Sequence, residues 1–348
     1  EFPAQIARVA MWLIDHQMNM MISEYFGQYF ARLPLKKSAN IIHGNSLRID
    51  WEEVIGKDKL SFILGNPPFI GKQLQNKEQK EDMKAIFGKV QGAGVLDYVT
   101  AWYLKASSYM QNTKIKTAFV STNSISQGEQ VGVLWKELFD NYKIKIHFAH
   151  QTFNWSNEAK SNAAVHVVII GFTNFDSEDK KIFEYEDIKG HALEKSVKNI
   201  NPYLVEGDDI VVVKRRKPLG SNPIMLLGNM PNDGGFLMLT NEEKDQLIQD
   251  EPISKKYIKQ LLGSVEFINS KLRWCLWLED LEPNDLKVMP LVKKRIESVR
   301  DIRLQSSREA TQQLAEYPTL FGEIRQPETD YIIIPQVSSE SRKYIPIG

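Results

Sequence analysis

Apolar positions change their spacing repeatedly along the first half of the chain. From residue 3 to about 29, Ile6, Val9, Ala10, Leu13 and Ile14 recur at the helical interval, and Pro3 suits a first turn. Met11, Met18, Met20 and Met21 continue the segment and read as core packing, because a flexible thioether fills irregular apolar gaps. Arg32-Leu33-Pro34 reads as the turn that ends it, and residues 40–44 as a short buried strand. Residues 61–65 (SFILG) form an apolar strand that breaks into Asn66-Pro67-Pro68-Phe69. Helical patterns follow over 77–87 and 96–110, the second with Leu96, Val99, Tyr103, Ala106 and Met110 along one face. The spacing then predicts a strand at 116–122, a helix at 128–139 and two strands in direct succession, 143–149 and 163–172. Strands alternating with helices predict an α/β fold with a mainly parallel sheet covered on both faces, and the last two strands a terminal antiparallel hairpin.

Polarity rises at 174–179 (NFDSED), which reads as the boundary between two domains, residues 1–175 and 176–348. Beyond it turn signals crowd together, among them Asn201-Pro202, Lys217-Pro218, Asn222-Pro223 and Asn232-Asp233-Gly234-Gly235, with short apolar pieces between. One long helical stretch stands out, from about 285 to 315.

Composition narrows the function classes. The 348 residues are 42% hydrophobic and 25% charged, ordinary globular usage. Forty-four Lys+Arg balance forty-four Asp+Glu, which excludes a globally basic nucleic-acid coat and leaves room for a local basic groove. The single cysteine, Cys275, rules out a disulfide framework and a Cys-rich zinc site, and suits a reducing, cytoplasmic setting. No apolar run approaches the ~18–20 residues that cross a bilayer, so no membrane is expected. The histidines come with no H-E-x-x-H, Cys pair or acidic triplet, so no metal is expected. The chain opens on Glu1 already inside a helical pattern, which reads as a fragment whose true start lies upstream.

The chemistry concentrates at 63–69 (ILGNPPF). A strand delivers Asn66 to its carboxyl end, where ligands bind in open α/β sheets. Proline locks φ and restricts the residue before it, so Asn66 and Pro67 are held extended. The side-chain oxygen of Asn66 and the carbonyl of Pro67 can each accept one hydrogen of an exocyclic amine, while Phe69 stacks on a planar substrate. Two acceptors off the ring plane favour a more tetrahedral nitrogen, whose lone pair can attack an electrophilic methyl group. Fixed geometry of this kind supplies ~7–11 kcal/mol by proximity alone. The competing reading is a rigid turn after a strand.

The tetrapeptide resembles the signature of amino-methyltransferases that use S-adenosylmethionine, whose substrates include adenine N6 in DNA, RNA and protein glutamine. Over nearly the whole chain, the segments IIHGNSLRIDWEEV, FVSTNSISQGEQVGVLW, FAHQTFNWSNEAKSNAAVHVVIIGF, RWCLWL and LFGEIRQPETDYIIIPQVSSESRKYIPIG resemble the MmeI-like restriction–modification methylases. The resemblance implies a Rossmann-like class I methyltransferase domain, incomplete at its N-terminus, and a mixed α+β target recognition domain truncated at its C-terminus. It implies site-specific methylation of a flipped adenine at N6, with S-adenosylmethionine as cofactor and double-stranded DNA as partner. Upstream nuclease and cofactor-binding segments would belong to the same polypeptide.

By the same resemblance, Asn66, Pro67, Pro68 and Phe69 hold and stack the adenine, and Phe153, in QTFNW, is the second aromatic against it. Asn45, in HGNSL, sits where the cofactor's adenine is touched, a position at which many relatives carry Asp. Leu96 and Tyr98 line the methionine end of that pocket. A turn residue at Asn45 and a plain core aromatic at Phe153 are the competing readings. The family's Gly-rich cofactor loop would precede residue 1, so this chain by itself is expected to bind the cofactor weakly or not at all and not to methylate alone. Lys214, Arg215, Arg216 and Lys217 form a basic cluster suited to phosphates, and Arg342 and Lys343 lie in a polar stretch suited to base edges. Lys293, Lys294, Arg295, Arg300, Arg303 and Arg308 on the long helix are interleaved with Glu297, Asp301 and Glu309, so a solvated ion-paired face competes there with phosphate contact. Cys275 between Trp274 and Leu276 reads as buried, which removes the nucleophile that cytosine ring methylation needs. A glutamine or RNA methylase would keep the tetrapeptide but would not explain the second domain. A non-catalytic DNA-recognition module is the alternative from another class.

Overall fold

The alternating pattern of the first half builds a six-stranded sheet. The computed structural model describes residues 2–28, 39–155, 165–215, 217–338, 342 and 344–348. It divides into two units, Glu1–Arg216 and Lys217–Gly348. In the first, α1 (Phe2–Phe26) and α2 (Trp51–Val54) precede β1 (Phe62–Gly65). Helices α3 (Lys77–Phe87) and α4 (Thr100–Tyr109) then lead to β2 (Lys116–Thr122). After α5 (Gly128–Asp140) come β3 (Lys145–Trp155), β4 (Val165–Thr173), β5 (Lys180–Glu184) and β6 (Leu193–Val197).

The strand order is β1-β2-β4-β3-β5-β6. Strands β1, β2, β3 and β5 run one way, and β4 and β6 the other. Central β4 carries buried Val167, Val168, Ile170 and Phe172, a near-continuous apolar run of the kind that a strand covered on both faces requires. The ring of Tyr103, on α4, lies 5.2 Å from Phe119 and 5.2 Å from Phe172, and its hydroxyl meets Ser121 Oγ at 2.7 Å. Trp135, on α5, closes the same cluster and donates from Nε1 to the Ile125 carbonyl. Helix α3 starts where its sequence says it must: Asn76 Oδ1 accepts from the Gln79 N–H and Gln79 Oε1 from the Asn76 N–H, each at 2.9 Å.

Several expectations are corrected here. The helical period of residues 2–26 does form a helix, but α1 has no buried residue, and Met11, Met18, Met20 and Met21 are exposed rather than packed in a core. A period predicts a helix; burial needs a facing surface as well, and among the described residues α1 is covered only in part. Residues 40–44 are irregular instead of a strand. Helix α4 begins at Thr100, because Leu96 is extended (φ −80°, ψ 141°) and only then does the chain turn. Strands β3 and β4 pair antiparallel as expected, yet not at the end of the sheet: β4 lies between β2 and β3, and β5 and β6 extend beyond them. The polar stretch 174–179 joins β4 to β5 within that sheet, and the division between units falls after residue 216. Its charge is used locally: buried Lys180 holds Asp176 at 2.8 Å and Asn199 Oδ1 at 2.9 Å. Arg32, Leu33 and Pro34 lie outside the described residues.

The second unit contains β7 (Met238–Leu239), α6 (Asn241–Asp250), β8 (Ile258–Gln260), α7 (Ser264–Asn269), β9 (Trp274–Leu276), α8 (Pro283–Lys287), α9 (Pro290–Leu304) and α10 (Glu309–Gln313). Its three strands pair antiparallel in the order β7-β9-β8. Cys275 is buried in the middle strand, and burial pushes its thiol up to about 11. The single long helix expected over 285–315 is three. Pro290, with no N–H to offer the preceding turn, opens α9 instead of continuing α8. Buried Glu251 accepts from the N–H groups of Leu291 and Val292 and so caps α9. Among the described residues no helix is long and apolar enough to cross a membrane.

Arg303 is also corrected: it is 1% exposed and faces no solvent phosphate. Its guanidinium donates to the carbonyls of Asn232, Leu314, Tyr317, Pro231 and Leu320 at 2.7–2.9 Å. One charge thus fastens the 231–232 turn and the 314–320 segment to α9. Arg303→Met should lower the stability of this unit by roughly 3–5 kcal/mol, and Arg303→Lys nearly as much, because one ammonium cannot span the fork. Hydrogen exchange should show lost protection at 231–237 and 314–322; unchanged protection there would refute the account.

Candidate active site

The site is built on the carboxyl edge of the parallel strands. At the end of β1, a Cβ on Gly65 would lie 3.1 Å from the Phe119 ring, so glycine lets β1 lie close on β2. The next residue, Asn66, is exposed, Pro67 is buried, Pro68 is exposed, and Phe69 is half-buried against the core. Asn66 therefore faces solvent from a corner whose next residue is anchored inside.

Three hydrogen bonds stitch the chain after that corner to residues 96–98. Tyr98 N–H donates to the Ile70 carbonyl at 2.9 Å, Lys72 N–H to Asp97 Oδ1 at 3.1 Å, and Gln75 Nε2 to the Leu96 carbonyl at 3.0 Å. The second oxygen of Asp97 accepts from the Ser124 hydroxyl at 2.7 Å, and Ser124 Oγ lies 2.8 Å from Thr122 Oγ1. Asp97 N–H in turn donates to Gln130 Oε1 at 2.9 Å. One residue thereby connects the segments that leave β1 and β2 to the start of α5.

Leu96 and Tyr98 are buried, so both turn their side chains into the core. The Tyr98 hydroxyl donates to Asp82 Oδ2 at 2.7 Å, Asn45 Nδ2 donates to the same atom at 2.8 Å, and Arg48 Nε donates to Oδ1 at 2.6 Å. Asn45 Oδ1 also accepts from the Leu47 N–H at 2.9 Å. Burial alone would raise the Asp82 carboxyl, but the bonds from Tyr98, Arg48 and Asn45 outweigh it and hold it below the ordinary carboxylate range. Tyr98 is pushed up to about 12, by burial and then by its bond to Asp82. Asn45 and Tyr98, expected separately from sequence, thus meet at Asp82, which sequence reasoning missed. The available signal was its place on α3, where Asp82 shares the buried face with Met83 and Phe87.

Phe153 reaches the same edge. Val167 on β4 pairs with Thr122 of β2 on one side and with Phe153 of β3 on the other. The Phe153 ring is half-buried and stacks on Tyr185, with centroids 5.1 Å apart and an interplanar angle of 20°. Among the basic residues, Lys214 pairs with Glu129 of α5 and holds that carboxyl below its usual range by hydrogen bond and charge. Arg215, Lys217 and Arg342 are exposed, while Arg216 and Lys343 lie outside the described residues.

Residues 1–184 match the model of the MmeI DNA-methyltransferase domain, and residues 206–348 that of the MmeI target recognition domain. DNA methyltransferase A of Bacillus subtilis (strain 168) is 42% identical over 352 residues, covering 100% of this chain and 39% of that protein. The Type IIL restriction-modification enzyme MmeI, solved in complex with DNA, is 53% identical with a TM-score of 0.87, covering 100% of this chain and 46% of that one. The chain spans less than half the length of either relative.

Because the folded Asp82 carboxyl titrates below its ordinary value of 3.8, its stabilisation is present above that value and is lost as the pH falls through the folded one. Asp82→Asn should therefore be less stable by about 1–3 kcal/mol at neutral pH, with the gap closing below about pH 4. Urea unfolding of both proteins across that range checks it; a gap that does not change with pH would sink the argument.

Proposed function

The chain belongs to the MmeI DNA-methyltransferase family, and from that premise we propose that it forms the catalytic edge and DNA-reading part of a site-specific DNA adenine methyltransferase. The reaction transfers a methyl group from S-adenosylmethionine to N6 of an adenine turned out of the duplex, within a restriction–modification enzyme of the cytoplasm. A nuclease and the remainder of the cofactor site are read as other segments of the same polypeptide. The observation that carries this reading is exposed Asn66 at the carboxyl end of a parallel strand, beside buried Pro67.

Asn66 Oδ1 and the Pro67 carbonyl accept the two hydrogens of the exocyclic amine, which turns its lone pair out of the ring plane. Both acceptors are neutral amides, so they orient the N–H bonds without removing a proton, and the proton lost on methylation leaves to water at the exposed side of Asn66. Phe69 and Phe153 stack on the base, and stacking of ~1–3 kcal/mol per base offsets the few kcal/mol of extrusion. S-adenosylmethionine, when bound, supplies an electrophilic methyl group on a positively charged sulfur. The residues present fit its adenine end: an amide can make up to four hydrogen bonds, and the two that fix Asn45 leave it capacity at an exposed position. Leu96 and Tyr98, with side chains in the core, would bear on that pocket through their backbone.

Double-stranded DNA is the partner. Lys214, Arg215, Arg216 and Lys217 suit phosphates, with Lys214 exchanging its Glu129 contact, an exposed pair of the weak kind. Arg342 and Lys343 suit base edges or nearby phosphates.

The polypeptide carrying this chain, expressed in a host free of adenine methylation, should leave N6-methyladenine at one defined sequence, as read by sequencing of modified bases. Asn66→Ala should lower methyl transfer on the order of 10²–10³-fold while DNA affinity changes little. No modified adenine from the unaltered protein, with DNA binding intact, would leave a recognition module without catalysis.

A further inference from the structure

Four rings stand in a row beside the candidate base-binding edge, and the reaction as proposed uses only the last of them. Phe183 lies face to face with His150, with centroids 4.2 Å apart at 5°. His150 Nδ1 is 2.8 Å from the Tyr185 hydroxyl. Tyr185 in turn stacks on Phe153 at 5.1 Å and 20°. All four are half-buried and none belongs to the buried core of the unit. His150 and Phe183 are direct partners in the parallel pairing of β3 with β5, and Tyr185 follows the last residue of β5, so the row emerges at the carboxyl edge. A register shift between His150 and Phe153 re-aims the end of β3, and Asn154 N–H donates to the Ile188 carbonyl at 2.8 Å, tying that end to the segment carrying Tyr185.

We propose that Tyr185, held by His150, is a positioning residue for the extruded purine: it backs one face of Phe153 so that the other face is presented to the base. The proposal rests on the reading of Phe153 as the second aromatic of the site. Stacking across a flat edge depends on the ring being fixed before the base arrives, since a ring that must be ordered on binding returns part of the interaction as lost entropy. A lone Phe153 would have its χ angles free on the solvent side. Tyr185 removes that freedom by parallel contact within the 4.5–7 Å range of favourable aromatic pairs, and the hydrogen bond to His150 removes the freedom of Tyr185. The protonation states agree: burial lowers the imidazole below its ordinary value and raises the Tyr185 hydroxyl, so two neutral partners share the hydrogen bond between Nδ1 and the phenol oxygen.

The test uses the intact polypeptide in two assays: duplex DNA carrying 2-aminopurine in place of the mapped target adenine, whose fluorescence rises on extrusion, and the unmodified duplex for kcat and KM of methyl transfer. Tyr185→Leu should lower kcat and the extrusion signal about tenfold, with KM for DNA within about twofold. Tyr185→Phe and His150→Leu, which keep the Phe153–ring contact but break the hydrogen bond, should fall between. Phe153→Leu should be at least as impaired as Tyr185→Leu. Wild-type behaviour of Tyr185→Leu beside an impaired Phe153→Leu overturns the proposal and leaves the site reading standing. Wild-type behaviour of Phe153→Leu removes that reading and the proposal together. A Tyr185→Leu effect confined to KM also overturns it. Should Tyr185→Leu fail to fold, the two milder variants decide, and an undiminished extrusion signal in both is the refuting result.

Discussion

Two consecutive prolines cannot donate to a β-ladder, and this constraint shapes everything around Asn66. The corner 66–69 leaves β1 with its φ angles locked but with no N–H on two of its four residues, so the sheet cannot hold it in place by pairing. The support comes from downstream. Residues 70–75 are stitched to 96–98 by two backbone donors and a buried glutamine, and Asp97 spends one oxygen on Lys72 and the other on Ser124. The extended conformation of Leu96, which delays α4 until Thr100, is what makes the Leu96 carbonyl and the Asp97 carboxylate available. Had the helix run from 96, the Leu96 carbonyl would face a helical N–H and Gln75 would lose its acceptor.

Two of the buried charges, one in each unit, are accommodated in different ways. Arg303 faces five neutral carbonyls, so its guanidinium is solvated by backbone that would otherwise need water. Asp82 faces a hydroxyl, an amide and a guanidinium whose own side chain is half out in solvent. The first arrangement is purely constructional, since it joins segments of backbone. The second spreads one carboxylate over three side chains, and it leaves Asn45 with a fixed direction at the surface.

The legible parts of the sequence are those whose cause is local. The ILGNPPF strand-and-corner, the helix at 77–87 and the strand at 116–122 are dictated by period and proline, all within a few residues. What was not legible depends on partners far away in the chain. Asp82 looks like any acid on a polar helix until Asn45, Arg48 and Tyr98 are brought to it. Arg303 sits in a sequence interleaved with acids, the pattern of a solvated face, and only folding shows it aimed at the carbonyls of residues 231–232 and 314–320. The apolar and sulfur-bearing positions of α1 carry a true helical period, but a period cannot state what covers it. The polar run at 174–179 resembles a linker because five of its six residues are polar or charged, whereas Lys180 and Asp176 close an internal network there.

The acids near the site are the remaining question, since a carboxylate close to a methyl-accepting amine could serve as a base. Geometry argues against both. Asp97 has each oxygen committed to a donor that fixes backbone, and moving either would release the loop that holds the Asn66 corner. Asp82 is held by three donors and titrates below its ordinary range, which makes it a weaker base than a free carboxylate. Under the proposed reading, the groups that meet the amine are instead the neutral oxygens of Asn66 and Pro67. A site assembled in this way favours attack by direction and by exclusion of other geometries, not by proton abstraction. The strength of its chemistry should then follow the rigidity of the corner and of the rings around it more closely than the charge of any one residue.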